Sequence, residues 1–540
     1  MKQGISHIIY RSISYYRKPV FYQIIIVALL SAVITGSLLT GYSVRQSLIK
    51  SSEVKLGNTG LMISSGLRYF QTSLAERFSK KTGLRCTPIL ESGGFCRNLK
   101  TGIKSLNINI YGIGEDFFSF QGKDKIMLNP GEVAINTALA DQLKIAPGDE
   151  IVINFRQLSD IPPNSPFAPS SQNSSLVLKT GIILSPDRCG NFSLGISQLT
   201  PYNIFINLQD IANGTGLKEK VNRILVKSTG NLSVGKAVAD LKGILLPEDA
   251  GLTARKILKT GEMEIVSSRI FIDQEIFNNI KSTIPSARPL LTYLANSFTI
   301  KKKSTPYSFI SAIDPSTHPD IQPGNSIVIN RWLAEDLNAS VNDTVTLTWF
   351  TPGKISDLEE KSERFAISKI VDQTGVFSDS LLMPEFPGIA GKESCSDWDA
   401  GVKINMERIR KKDEDYWNKY RGTPKAFISY EKGKSMWGNN FGPVTAIRFP
   451  SSVDEKEITQ KLIGNLDPDK CGFIVKNLKD DMISAAKESV DFTTLFISLG
   501  FFIILACIIL LLLTVNAFFD ARKKQIYTLF AIGFKNRWIN

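Results

Sequence analysis

Few residues of this 540-residue chain have the type and spacing that catalysis requires. Histidine, a frequent general base and metal ligand, occurs only at His7 and His318, which excludes most histidine-dependent catalysis and most zinc chemistry. No serine or cysteine nucleophile stands with a base in a recognisable pattern. We therefore expect that the chain is not an enzyme and that it needs no metal or other cofactor.

Two segments look like sites of chemistry but do not meet its requirements. GNLSVGKA (230–237) follows an apparent strand and opens an apparent helix, as a phosphate-binding loop does, but Ala237 stands where a serine or threonine must ligate magnesium. The mixed run RIRKKDEDYW (408–417) alternates in charge, which is typical of a solvated helix. We interpret both segments as structural.

The cysteines offer one candidate disulfide. Five of the six lie between residues 86 and 471, and Cys507 lies in a long apolar run near the C-terminus. Because an odd number cannot all pair within one chain, some thiols must stay free. Cys86 and Cys96 flank PILESGGF, whose adjacent glycines would let the chain turn back, so they are the candidate pair in an oxidising compartment. Free buried thiols are the alternative, and no cysteine spacing indicates a metal site.

Two long uncharged segments lie near the ends of the chain. The 26 residues from Pro19 to Val44 and the 28 from Phe492 to Phe519 carry no charge, and each run exceeds the roughly 20 residues that cross about 30 Å of hydrocarbon. A signal peptide is the alternative for the first run, but that run is longer than usual and no clear cleavage site follows it. We predict transmembrane helices at 20–43 and 491–519.

The positive charge is concentrated just beyond these two segments. The formal net charge is +13, and residues 1–19 and 518–540 hold eight of those charges. The basic composition therefore belongs to two short flanks and does not indicate a nucleic-acid partner. The positive-inside rule places residues 1–19 and 520–540 in the cytoplasm and the central region outside it. In a bacterium this predicts the cytoplasmic (inner) membrane, with the central domain extracytoplasmic.

The central region contains an internal repeat. Residues 136–155 align without a gap with residues 330–349, and 201–208 and 221–228 align with 423–430 and 444–451. The first alignment matches five identical pairs: Asn136 with Asn330, Leu139 with Leu333, Ala140 with Ala334, Leu143 with Leu337, and Asp149 with Asp343. Each copy reads as strand, short helix, turn, strand, loop, strand and helix. We predict two similar α+β units, about 131–245 and 325–466, in which the Pro/Ser/Asn-rich stretch 161–175 is an exposed loop.

The segment FFDARKKQIYTLFAIGFKN (518–536) carries a family resemblance. It resembles the segment after the second span of FtsX-like permeases of the MacB type, where basic residues precede Glu-Ile, a leucine and Ala-Leu-Gly. The matching positions here are Lys523, Lys524, Gln525, Ile526, Leu529, Ala531 and Gly533. Gln525 replaces the customary acid and Phe530 a customary basic residue. The start of the chain, residues 10–48, and the stretches 290–296, 306–313 and 413–427 are similar to parts of large bacterial ABC-transporter permeases.

The resemblance implies a mechanical function. In such transporters a dimeric cytoplasmic ATPase, on a separate subunit, pushes on a short helix, and the membrane helices carry the movement to the outer domain for export or substrate extraction. A second permease copy or a homologous permease is the other expected partner. Independently, Ile526, Leu529 and Ile532 form an apolar helical stripe after two lysines. A juxtamembrane helix resting on lipid is the alternative for this segment.

These observations lead to one organisation and two functions. The expected fold class is a membrane protein with two transmembrane helices flanking a large α+β extracytoplasmic domain of two repeated MacB-periplasmic-like units. The predicted domains are the N-terminus (1–19), helix one (20–43), unit one (44–250), unit two with a linker (251–490), helix two (491–519) and the coupling segment (520–540). Since such permeases have further spans, we expect a longer protein, a truncated form or a split gene. The alternative function is a two-span receptor or binding protein with a ligand-binding outer domain.

Overall fold

A computed structural model describes residues 2–66, 68–123, 126–156, 160–161, 165–168, 174–195, 197, 199–227, 233–258, 260–352, 358–399, 401, 404–463, 465–488 and 492–534. The chain divides into two compact units. The helical unit comprises Met1–Leu56, Leu194–Gln198 and Lys479–Asn540, and the sheet unit comprises Gly57–Ser193 and Leu199–Leu478.

Helices bracket the chain and are interspersed among its strands. They are α1 (Lys2–Tyr15), α2 (Arg17–Leu56), α3 (Ser73–Thr82), α4 (Phe117–Phe120), α5 (Thr137–Leu143), α6 (Leu208–Thr215), α7 (Val234–Lys242), α8 (Gln274–Thr283), α9 (Arg331–Leu337), α10 (Lys411–Tyr420), α11 (Tyr430–Trp437), α12 (Glu455–Leu462), α13 (Leu478–Glu488) and α14 (Phe492–Ala531).

All the strands belong to the sheet unit. They are β1 (Thr59–Ser64), β2 (Phe70–Gln71), β3 (Cys86–Asn98), β4 (Lys104–Ile113), β5 (Glu132–Asn136), β6 (Glu150–Phe155), β7 (Ser175–Leu184), β8 (Asn203–Asn207), β9 (Lys220–Val221), β10 (Arg223–Lys227), β11 (Leu252–Lys256), β12 (Met263–Ser267), β13 (Arg288–Ile300), β14 (Lys303–Ile313), β15 (Ser326–Asn330), β16 (Thr344–Pro352), β17 (Leu358–Val371), β18 (Ala426–Ser429), β19 (Ala446–Phe449) and β20 (Ile474–Asn477).

Among the described residues, the helical unit contains two helices that are long and apolar enough to cross a membrane, Arg17–Leu56 and Thr494–Ala531. Their large apolar side chains, such as Ile24, Leu29, Phe502 and Leu513, are mostly exposed in the folded chain. A core helix of a soluble protein would bury such side chains, whereas lipid solvates them at no cost. This is the organisation of a membrane protein with a large domain beyond the bilayer.

The sheet unit contains two nine-stranded sheets of the same topology and a two-stranded sheet of β2 and β9. The first follows the order β20-β1-β10-β3-β4-β8-β5-β7-β6, and the second the order β11-β12-β19-β13-β14-β18-β15-β17-β16. In each, an additional pairing, β3 with β6 or β13 with β16, closes six strands into a barrel. The second strand of each barrel pairs parallel with the third, β4 with β8 and β14 with β18. The two similar α+β units expected from the repeat are confirmed.

The two sheets exchange one strand. β11 follows α7 of the first repeat in the chain, yet it pairs with β12 of the second sheet. Conversely, β20 follows α12 of the second repeat and pairs with β1 of the first sheet. Each sheet is therefore completed by the end of the other repeat, and apolar residues of both sheets belong to one hydrophobic core cluster.

The repeated asparagines and aspartates occupy equivalent places. Asn136 and Asn330 each end a strand and cap the next helix, because their side-chain oxygens accept from the backbone N–H of Leu139 at 3.2 Å and of Leu333 at 2.8 Å. Asp149 and Asp343 each accept from the backbone N–H three residues earlier, at 2.9 and 2.7 Å. These are turn contacts, as expected for aspartate before a strand.

The prediction that 161–175 is an exposed loop is wrong for two of its described residues, Ile161 and Phe167. Ile161 and Phe167 are each 3% exposed. The Phe167 ring lies 4.5 Å from that of Phe386 and 4.8 Å from that of Tyr293, both in the second repeat. The composition is that of a loop, but two apolar side chains of the loop are buried in the core. Residues 162–164 and 169–173 lie outside the described residues.

Candidate functional site

The predicted coupling residues from Lys523 to Ala531 all lie on α14. This helix continues without a break from the apolar span through Ala531, because none of its residues beyond the span is a proline or glycine that would end it. Lys523, Lys524 and Gln525 are exposed, and Ile526 and Leu529 are half-buried. Ile532, the third member of the apolar stripe, lies one residue past the helix and is 68% exposed.

Gly533 terminates this helix. Its φ is +90°, in the left-handed region that favours glycine. The Gly533 N–H donates to the Phe530 carbonyl at 3.0 Å, and the Phe534 N–H donates to the Leu529 carbonyl at 3.1 Å. These two bonds form a Schellman motif, which satisfies carbonyls that the helix end would leave unpaired.

A second pair of apolar side chains on the same segment is more exposed than Ile526 and Leu529 of the predicted stripe. Tyr527 is 66% exposed and Phe530 is 43% exposed, and they are neighbours on the helix surface because they lie three residues apart. Phe519, within the preceding turns, is 56% exposed. The sequence pattern identified one stripe, but periodicity alone does not show which stripe the rest of the chain covers.

Arg522 ties the base of this segment to α1. Its guanidinium lies 5.3 Å from the ring centroid of Tyr16 and 4.9 Å from that of Phe518, and it donates to the hydroxyl of Ser12. The Tyr16 and Phe518 rings are themselves 5.6 Å apart, edge to face. Cation–π and aromatic contacts of this kind hold a cationic side chain close to an apolar surface.

A close contact joins the middle of α2 to the first turns of α14. The hydroxyl of Ser37 on α2 donates to the Val33 carbonyl of the same helix at 2.8 Å and lies 3.5 Å from the Phe496 carbonyl of α14. A Cβ placed on Gly500 would lie 3.1 Å from the Cγ1 of Val33. Small residues therefore allow α2 and α14 to approach each other, as in other membrane helix pairs.

The predicted Cys86–Cys96 disulfide is wrong. Both thiols are free, and both residues lie on β3, which extends without a turn from Cys86 to Asn98. Ten residues of strand separate two positions by about 30 Å, far beyond the roughly 7 Å that a disulfide can bridge. The two glycines of PILESGGF do not reverse the chain. A Cβ on Gly94 would lie 2.2 Å from the Asn154 carbonyl oxygen, so this glycine permits β6 to approach.

The interpretation of 408–417 as a solvated helix is wrong for its central residues. Asp413, Tyr416 and Trp417 of α10 are each at least 94% buried. Asp413 accepts from Arg410 at 2.7 Å and lies 3.7 Å from the ammonium of Lys425, which is 2% exposed. Burial lowers the pKa of Lys425 to about 8, with Asp413 acting against that effect. Sequence reasoning missed Lys425 because its buried setting depends on strands distant in the chain.

The structural comparisons find extracytoplasmic domains of transporters. The periplasmic region of MacB from Actinobacillus actinomycetemcomitans is 16% identical, with 43% of this chain and 95% of that chain covered and a TM-score of 0.24. The extracellular domain of the noncanonic ABC-type transporter YknZ from Gram-positive bacteria is 10% identical, with 34% and 91% covered and a TM-score of 0.22. No family model and no curated protein matches the chain. At these TM-scores the function has to be inferred from the chain's own residues.

Proposed function

We propose that this chain is a permease subunit of an ABC transporter, which transmits ATP-driven motion from a cytoplasmic ATPase dimer to an extracytoplasmic domain. The observation that carries the proposal is the unbroken course of α14 from its apolar span into the segment 520–531. A helix of 40 residues is about 60 Å long, roughly twice the hydrocarbon thickness. A push on its cytoplasmic end is therefore carried by a single rigid element.

The other end of the membrane helices supports the same proposal. Only two residues separate α2 from β1, and α13 follows directly after β20. β1 and β20 are hydrogen-bonded neighbours in the first sheet, with Ile63 opposite Val475. The connections of α2 and α13 to the sheet unit thus lead into one pair of strands.

The coupling contact is proposed for the segment Lys523–Gly533, in the cytoplasmic membrane of a bacterium and beside a second permease copy or homologous permease. Its lysines are exposed, and basic residues mark the cytoplasmic surface. Leu529 and Ile526 supply apolar area for a groove in the ATPase. Gly533 ends the helix and allows a close approach there. The extracytoplasmic sheet unit acts in export or substrate extraction.

The experiment compares Leu529→Asp with Thr528→Asp in the complete permease. Both changes place a carboxylate at about the same distance from the membrane, because the two residues are adjacent in α14. Thr528, however, is exposed and lies outside the predicted stripe. Because a carboxylate is costly to desolvate in an apolar groove, we expect Leu529→Asp to lose ATPase co-purification from host membranes and substrate-linked ATP turnover, while membrane insertion persists. Thr528→Asp should retain both. Normal ATPase recovery and turnover with Leu529→Asp would contradict the proposal and favour a helix that rests on lipid.

A further inference from the structure

A cavity of about 350 Å³, lined by both charged and apolar side chains, lies at one end of the second barrel, where β13, β14 and β19 meet the turns around residues 375–382. This volume is at the lower end of the range for small-molecule sites. Its lining includes two arginines, Arg288 and Arg448, and two carboxylates, Glu262 and Asp314, together with His318. Leu290, Ile313 and Leu382 contribute apolar surface.

The charged groups form a network at the floor of this cavity. Arg448 is 7% exposed, and its guanidinium lies 3.1 Å from Glu264 and 2.7 Å from Asp379, both of which are buried. Glu262 binds Arg288 at 2.5 Å and lies 4.0 Å from Arg448. Glu264 and Asp379 thus form ion pairs with the part of the Arg448 guanidinium that faces away from the cavity. Glu262 holds the two arginines at the cavity wall.

The first barrel shows that this architecture does not need these charges. In the second sheet Glu264, Arg448 and Arg288 lie opposite one another on three adjacent strands. The same register in the first sheet carries Met62, Leu225 and Thr87, all buried. The registers correspond because Ile224 lies opposite Pro88 and Ile447 opposite Pro289. Buried ion pairs seldom stabilise a fold more than apolar residues do, so stabilisation of the fold does not by itself explain the charges of the second sheet.

The cavity also has a counterpart that is filled in the first barrel. Ile113 ends β4 opposite Ile89, as Ile313 ends β14 opposite Leu290. Four and five residues later the first repeat has Phe117 and Phe118, each at most 1% exposed and packed against Phe205. At the same distance past Ile313 the second repeat has Thr317 and His318, which line the cavity. Smaller and polar side chains thus stand where two phenylalanines close the first barrel.

The balance of charge on the lining selects a class of ligand. Burial, together with the Arg288 guanidinium, lowers the pKa of His318, so its imidazole is neutral at pH 7, and the two arginines face the two carboxylates. Glu262 already pairs with both arginines, whereas Asp314 is in no ion pair among the residues that the structure describes. A ligand carboxylate would therefore share the arginines with Glu262, and a ligand ammonium would neutralise Asp314. The described lining residues include no phenylalanine, tyrosine or tryptophan, so a sugar or nucleobase would have no aromatic ring on which to stack.

We propose that this cavity binds a small zwitterion, of about the size of one or two amino-acid residues, with its carboxylate at Arg288 and Arg448 and its ammonium at Glu262 and Asp314. Thr317 supplies a further hydrogen-bonding hydroxyl, and Leu290 and Leu382 contact the aliphatic part of the ligand. The site belongs to the second repeat alone. The inference does not depend on the coupling segment, so its failure and that of the permease proposal are distinguishable.

The test is calorimetric titration of the detergent-solubilised full chain with the twenty free amino acids, Gly-Gly and Ala-Ala. At least one of these zwitterions should bind. Its N-acetylated form, which lacks the ammonium, and its amide, which lacks the carboxylate, should each bind at least tenfold more weakly. Succinate and putrescine serve as a purely anionic and a purely cationic probe. The proposal is overturned if no zwitterion binds, if the blocked forms bind equally well, or if only succinate or putrescine binds.

Two pairs of variants locate the binding site. Arg288→Met should weaken binding at least tenfold, whereas Arg364→Met, at an exposed arginine of the same sheet, should not. Thr317→Phe copies Phe117 of the first barrel and should abolish binding by filling the cavity, whereas Ser316→Phe changes an exposed neighbour and should have no effect. Near-ultraviolet circular dichroism verifies that each variant is folded. Unchanged affinity in folded Arg288→Met and Thr317→Phe proteins would exclude this cavity as the site.

Discussion

At the scale of the residue, hydrogen bonds to backbone groups explain why a particular side chain stands at a position. Asn136 is fully buried, and besides capping α5 it accepts from the Asn203 N–H at 3.1 Å and donates to the Pro201 carbonyl at 2.6 Å. Its repeat partner Asn330 caps α9 and donates to the Tyr416 hydroxyl at 3.0 Å. The helix cap therefore explains why both repeats have asparagine at this position. The side-chain amide nitrogen donates to a different group in each repeat.

Replacing Asn136 with alanine tests this double function. The change leaves the Leu139 and Asn203 N–H groups without an acceptor in a buried place, so we expect a loss of about 2–4 kcal/mol in the free energy of unfolding. Asn207→Ala is the matched control, because Asn207 caps α6 through the Gln209 N–H and is only partly buried. It should cost about 1 kcal/mol. Equal losses in urea titrations of the two variants would contradict this account.

Lys425 makes stability depend on pH. Its pKa falls from 10.5 to about 8 because burial disfavours the ammonium. Between these pH values the unfolded chain binds one proton more than the folded chain, so this residue makes the free energy of unfolding rise with pH, by at most about 1.4 kcal/mol per pH unit. Lys425→Met should lack this rise. The wild type should therefore gain stability relative to the variant between pH 8 and 10.5.

The measurement is a series of urea titrations of both proteins from pH 7 to pH 10.5, in which tryptophan fluorescence monitors unfolding. Lys361→Met, at an exposed lysine of β17, is the control and should parallel the wild type at every pH. If the stability difference between wild type and Lys425→Met did not change over this range, the lysine would not lose its proton in the folded protein at the pH inferred.

At the scale of elements, the membrane helices combine long apolar faces with a few small contact residues. Gly500 of α14 and Gly36 of α2 look alike in the sequence, since both interrupt an apolar run. Only Gly500 lies at the helix contact, because a Cβ there would meet Val33 at 3.1 Å, whereas a Cβ on Gly36 would meet nothing within 4 Å. One glycine is thus required by packing, and the other is free to change.

We predict that Gly500→Leu separates α2 from α14 and that Gly36→Leu does not. Both variants add the same side chain within an apolar span, so their difference reports packing and not hydrophobicity. Cysteines introduced by Ser37→Cys and Phe496→Cys should cross-link readily on mild oxidation in the wild-type background, because the Ser37 hydroxyl lies 3.5 Å from the Phe496 carbonyl. Gly500→Leu should slow that reaction severalfold. Cross-linking at an equal rate in both variants would argue against a tight contact at Gly500.

At the scale of the whole molecule, the exchange of β11 and β20 joins the two barrels into one folding unit. Val475 of β20 is 9% exposed and lies opposite Ile63 of the first sheet, although the chain around it belongs to the second repeat. One core cluster includes residues of both sheets. Neither repeat can complete its sheet alone, so the two barrels should lose their structure together.

Val475→Asp is expected to destabilise both barrels by a similar amount, about 2–5 kcal/mol, because it buries a carboxylate beside β1. Ile474→Asp, at the adjacent residue that is 47% exposed, should have a small effect. Native-state hydrogen exchange of β4 and β14 amides measures the two barrels separately. Faster exchange in β4 with full protection in β14 would show that the barrels unfold independently.

The sequence by itself determined those features that a segment shows without its neighbours. The lengths of two uncharged runs predicted the membrane helices, and the matched asparagines, leucines and aspartates of 136–155 and 330–349 predicted a repeated α+β unit. These predictions succeeded because bilayer thickness, helix capping and turn formation act on consecutive residues. The coupling function of Lys523 to Gly533 was likewise inferred locally and stays a proposal.

Tertiary structure alone decided which distant segments meet. The sequence does not show that β20 pairs with β1, that Cys86 and Cys96 share one extended strand, or that Phe167 is buried beside Tyr293. The Glu264, Arg448 and Arg288 cluster is also invisible in the sequence, since each residue stands alone in its own strand. Strand pairing brings these side chains together through hydrogen bonds between remote backbones. A residue's burial and its ionic partners therefore follow from the register of those pairings and not from its immediate neighbours along the chain.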